Sequence, residues 1–64
     1  MITINLNTIR RERNLILEDL VKLTKLSRGT LNNIENSKTS PTLRQLETIS
    51  IALKIDFYEL FSVE

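Results

Sequence analysis

Neither cysteine nor histidine occurs among the 64 residues. Without cysteine there is no disulfide framework and no thiolate ligand; without histidine the commonest metal ligand and general base are both missing. Glu18 and Asp19 are adjacent and do not converge as an acid/base pair must, nothing activates a serine, and no glycine-rich phosphate loop is present. The sequence therefore predicts no enzyme, no metal site and no cofactor. Gly29 and Pro41 are the only glycine and proline, which leaves turns to be read from helix caps and from breaks in apolar periodicity. The aromatics Phe57, Tyr58 and Phe61 all fall in the acidic C-terminal portion, whereas single-stranded and RNA-binding surfaces interleave aromatics with basic residues. No stretch approaches the roughly 18 apolar residues of a membrane span. The opening Met1-Ile2-Thr3-Ile4-Asn5 lacks a basic leader and a small-residue cleavage site, so a cytosolic location is expected.

Apolar residues make up 41% of the chain, led by leucine and isoleucine, which suffices for one small core in a single domain over residues 1–64. A domain this small buries only about 60% of its unfolded surface, so its stability depends on well-capped helices or on a covering partner. It also leaves no room for a ligand pocket, and no small-molecule effector is expected. The net charge of +1 conceals a gradient, because residues 1–44 carry eight basic against four acidic side chains and residues 45–64 carry one against four. That split fits either one face turned to a polyanion or an ordinary mixed surface.

Ile2, Ile4 and Leu6 alternate at period two, which reads as a short extended arm over residues 1–5. Later segments read as helix. The first runs from about Leu6 to Arg13 with Asn5 as N-cap, and the second from Leu17 to about Thr24 with Leu20, Val21 and Thr24 inward. Glu18 and Asp19 suit the first turn of this second helix, although Ile16 is a poor cap. The third opens at Ser27, a good N-cap, and continues through Glu35 with Leu31 and Ile34 on its inner face. Asn36 to Pro41 is a polar loop. Thr42 and Gln45 make a capping box for a fourth helix with the inward stripe Leu43, Leu46, Ile49, Ser50 and Leu53. Asp56 and Glu59 resemble a second box, opening a last short helix that turns Phe57, Leu60 and Phe61 to the core. The expected fold is all-α, a compact five-helix bundle.

Two short helices joined by a three-residue turn, here over about residues 17–35, form a helix-turn-helix. Its second helix fits the major groove, about 12 Å wide. Arg28, Gly29, Asn32 and Asn33 lie on the side of the third helix away from Leu31 and Ile34. Arginine pairs two-pronged with guanine O6 and N7, and asparagine with adenine N6 and N7, so this face carries base-reading chemistry. Glycine inside a helix costs about 1 kcal/mol relative to alanine. Close approach of DNA is one reason for Gly29; drift at an exposed site is another.

These residues resemble the XRE-type helix-turn-helix domain, the family of the lambdoid phage repressor and Cro proteins. The similarity runs from Leu6 to Phe61 through Leu6-Asn7-Thr8-Ile9-Arg10, Leu17 to Val21, Leu26 to Asn36, the Lys38–Pro41 loop, Leu53 to Asp56 and Glu59-Leu60-Phe61. The resemblance implies a five-helix fold that binds duplex DNA sequence-specifically, usually as a dimer on an inverted repeat, to regulate transcription. It assigns base reading to Arg28, Gly29, Asn32 and Asn33. Ser27, Lys38, Thr39, Ser40 and Arg44 become DNA-backbone contacts, and Arg10 and Glu35 a structural ion pair. Leu17 stands at a backbone-contact position where many relatives carry glutamine; its methyl groups would meet a thymine methyl or touch nothing. Lys25 and Ser37 stand where glycine is frequent, which implies left-handed backbone.

Ile51, Ile55, Phe57, Phe61 and Val63 are more apolar surface than a small monomer needs and are candidates for a homodimer interface, unless the core absorbs them. The competing reading is a protein-interaction module of the same fold, an antitoxin or anti-repressor. The basic first two-thirds of the chain and the Arg28/Asn32/Asn33 face favour a small repressor.

Overall fold

Leucine and isoleucine at i, i+3 and i+4 spacing wind the chain into four α-helices in the computed structural model, which describes all 64 residues. They are α1 (Leu6–Glu12), α2 (Leu17–Thr24), α3 (Arg28–Glu35) and α4 (Leu43–Leu53). Leu6, Leu20, Leu31, Ile34, Leu46, Ile49, Leu53 and Leu60 form the buried core where these helices meet. No helix is long and apolar enough to cross a membrane.

The caps explain where the helices start. The Ser27 hydroxyl accepts the Thr30 N–H at 3.1 Å. Thr42 and Gln45 bond reciprocally, each side chain accepting the other's backbone N–H at 3.0 Å. At α2 the apolar Ile16 offers no cap oxygen, and the Asp19 carboxylate compensates by accepting the Ile16 N–H at 2.9 Å. Asn5 precedes α1 without capping it; its amide donates to the Glu59 carbonyl and to the Ser62 hydroxyl, fastening α1 to the C-terminal segment.

Besides Asn5, which does not cap α1, three further features depart from expectation. The fifth helix is a single 3-10 turn, Phe57–Leu60, capped by Asp56 accepting the Tyr58 N–H at 3.0 Å, with no return bond from Glu59. Residues 2–4 are not a free arm: β1 (Ile2–Ile4) pairs antiparallel with β2 (Phe61–Val63), setting Ile4 opposite Phe61 and Ile2 opposite Val63. The spacing of Phe57, Leu60 and Phe61 suits a helix, but the backbone becomes fully extended at Phe61 (φ −148°, ψ 157°), where strand pairing replaces helical bonds. Leu43 is 74% exposed rather than inward. It is the first residue of α4, and it lines an open surface groove rather than the core.

Each α-helix ends near a left-handed residue, and none is glycine: Asn14, Lys25, Ser37 and Lys54 have φ of 57°, 62°, 57° and 57°. After α1, α3 and α4 an i→i−5 backbone bond closes the turn, from Leu15 to Arg10, Lys38 to Asn33 and Ile55 to Ser50. Left-handed backbone costs a non-glycine residue about 1 kcal/mol, asparagine less. Glycine removes that cost but adds unfolded-state entropy. Lys25→Gly is therefore expected to stabilise the fold by a few tenths to about 1 kcal/mol in thermal denaturation. A lower melting temperature would mean that the added unfolded-state entropy outweighs the relieved backbone strain.

Candidate nucleic-acid interface

The turn between α2 and α3 is fixed from inside. Buried Thr24 donates its hydroxyl to the Leu20 carbonyl at 2.7 Å and accepts the Leu26 N–H at 3.1 Å, while Lys25 N–H returns to Val21 at 2.8 Å. Ser27 then starts α3 at once. Because Leu31 and Ile34 are buried, the opposite side of α3 faces out: Arg28, Gly29 and Asn32 are exposed and Asn33 is half-buried.

Individual side chains on this face differ in their freedom. The Asn32 amide oxygen accepts from the Asn36 amide at 3.1 Å, which leaves the Asn32 NH2 free to donate. Arg28 is paired with Glu18 of α2, a contact that residue spacing does not reveal. The Ser27 hydroxyl is occupied on both sides, accepting the Thr30 N–H and donating to the Thr30 hydroxyl at 2.8 Å. The Thr30 hydroxyl proton is the one left for an outside acceptor. Lys38, Thr39, Ser40 and Arg44 are all exposed. Leu17 is half-buried and packs against the core, so its methyl groups do not simply hang free.

An added Cβ at Gly29 would meet nothing within 4 Å, and its backbone is not left-handed. Nothing inside the protein therefore requires glycine. Gly29→Ala is expected to raise stability by up to about 1 kcal/mol and to weaken duplex binding. Melting and DNA titration of one variant check both signs; unchanged or tighter binding would leave drift as the reason for Gly29.

Arg10 and Glu35 hold α3 from the side that faces α1. Arg10 Nε and Nη2 donate to the two Glu35 carboxylate oxygens at 2.7 and 3.2 Å, and Nη1 donates to the Leu15 carbonyl at 2.8 Å. The side chains are 15% and 5% exposed. Donating to the Glu35 carboxylate raises the Arg10 pKa above its ordinary value, against the opposing effect of burial, and the guanidinium stays charged. Arg13 anchors α4, donating to the Leu53 carbonyl at 2.8 Å where the macrodipole favours a cation.

A helix-turn-helix family model of the XRE type matches residues 6–60, from the first residue of α1 to the last of the 3-10 turn. The chain belongs to the helix-turn-helix family. Members are DNA-binding regulators of transcription, and double-stranded DNA is the partner that membership supports. No curated protein matches the chain.

The apolar C-terminal residues divide. Ile55, Phe57 and Phe61 pack against the core, whereas Ile51 and Val63 are 70% and 73% exposed. The structure also opens a groove of about 300 Å³ between the sheet and the start of α4, walled by Ile2, Ile4, Pro41, Leu43, Leu46 and Phe61. The groove corrects the expectation that so small a domain leaves no room for a pocket; it forms because Leu43 lies outside the core and β1 is paired with β2 rather than free. No cluster of side chains suited to hold a metal ion is present.

Proposed function

We propose that this helix-turn-helix chain is a repressor that binds an inverted-repeat operator as a homodimer, with α3 in the major groove. The observation that carries the reading is the outward face of Arg28, Gly29 and Asn32, presented on a helix whose other side is locked by Leu31, Ile34 and the Arg10–Glu35 pair. Asn33 borders that face. Lys38, Thr39, Ser40 and Arg44, with the amino ends of α2 and α3 at Leu17 and Ser27, take the sugar-phosphate backbone on either side. These contacts set register, and the α3 side chains specify sequence.

The homodimer draws on the apolar residues of the C-terminal part. Ile51 and Val63 are exposed and offer apolar surface to a second copy, while Ile55, Phe57 and Phe61 pack against the core. Two copies related by a two-fold axis would set their recognition helices about 34 Å apart, one turn of duplex. The same exposed apolar residues also suit a different protein partner, as in an antitoxin or anti-repressor. In the repressor reading the chain performs no catalysis and responds to its own concentration rather than to a small molecule.

Selection of bound duplexes from a random pool tests this reading. A repressor enriches an inverted repeat with half-sites about one helical turn apart. A winner lacking symmetry contradicts the dimer, and no enrichment over non-specific binding favours the protein-partner reading.

A further inference from the structure

One ion pair crosses the turn between α2 and α3 on the outer surface: Arg28 Nη2 with Glu18 Oε1. Its side chains are 66% and 45% exposed, so it is not part of the packing, and an exposed pair of this kind contributes little to folding. Arg28 is the first residue of α3, an end where the macrodipole disfavours a cation. Leu17, beside Glu18, has no polar side-chain atom to hold it.

We propose that Glu18 is a positioning residue that sets the base preference of Arg28, holding its guanidinium in the pose that reads guanine and away from the phosphates. The inference rests on the duplex-binding reading above. Arginine carries five N–H donors in one rigid plane. The closest approach of the pair is at Nη2, which carries two hydrogens, so a carboxylate on one of them leaves a two-donor edge of the plane for guanine, which needs two donors, for O6 and N7. An untethered arginine has a long flexible stem and settles on any phosphate within reach, which adds affinity for every sequence alike. Glu18 opposes this twice: its carboxylate competes with phosphate for the guanidinium, and its charge repels the phosphates next to it. The pair thus lowers non-specific affinity and sharpens the choice of base at one position.

The test is duplex selection with the wild-type chain, Glu18→Gln, Glu18→Ala and Arg28→Ala, each consensus then titrated against salt. Glu18→Gln and Glu18→Ala are expected to lose preference at the position that Arg28→Ala erases, keep the remaining consensus, and melt close to wild type. Their affinity for random duplex should rise, with the log–log salt slope steeper by up to about 1 as Arg28 gains a phosphate. A purely structural bridge would shift melting and leave base preference alone. A full wild-type consensus in both Glu18 variants overturns the proposal while the duplex-binding reading stands. Failure of the wild-type chain to enrich any consensus overturns both.

Discussion

Glu35→Ala is expected to cost about 3–5 kcal/mol of folding stability, the usual consequence of leaving one member of a buried ion pair without its partner. The Arg10 side chain is 15% exposed and directs two of its guanidinium nitrogens at Glu35. Removing the carboxylate strands a charge that water reaches poorly, and only the Leu15 carbonyl still accepts from it. Arg10→Ala should do at least as much harm, because it leaves both the Glu35 carboxylate and the Leu15 carbonyl without this donor. Arg10→Lys should recover only part of the loss, since an ammonium cannot match a two-pronged carboxylate contact. At 0.05–0.15 kcal/mol per residue, total stability is roughly 3–10 kcal/mol for a chain of this length, so Glu35→Ala should be close to unfolding at body temperature. Urea titration followed by circular dichroism measures the difference. A loss under about 1 kcal/mol would mean that the pair behaves as an exposed one.

Arg28→Ala should remove about 1–3 kcal/mol of discrimination at one base pair, the contribution of one two-pronged contact, with little change in stability. Lys38→Ala should behave differently. Lys38 is exposed in the α3–α4 loop, outside the recognition helix; if it meets a phosphate, its loss weakens all sequences alike and reduces the salt slope by about 1. If about five phosphates are contacted per subunit, the wild-type slope of log affinity against log salt should lie near −4 to −5. Competition titrations with the selected site and single-base variants separate the two effects. An unchanged base preference in Arg28→Ala would confine that residue to backbone contact.

The helices were legible because local chemistry marks them. Ser27 and the Thr42–Gln45 pair cap as their spacing demands, and Leu20, Leu31, Ile34, Ile49 and Leu53 fall inward by helical period. The sheet was not legible. A three-residue strand gives period two only a residue or two to act on, and its partner lies almost the whole chain length away. Phe61 fits helical spacing equally well, and only pairing with Ile4 decides for extended backbone. The left-handed residues Asn14 and Lys54 carry no glycine to announce them. The Arg10–Glu35 pair joins residues 25 apart and followed from family resemblance, not from periodicity. The Glu18–Arg28 contact needs the angle between α2 and α3, which no spacing rule supplies.

Residue-resolved NMR titration of the chain with a duplex shows whether the outer face of α3 meets DNA. The largest shifts are expected at Arg28, Gly29, Asn32 and Asn33, smaller ones at Leu17, Ser27, Lys38, Thr39, Ser40 and Arg44, with a guanidinium perturbation at Arg28. Shifts concentrated instead on Ile51, Val63 and the β1–β2 sheet, with α3 unmoved, would contradict contact through α3.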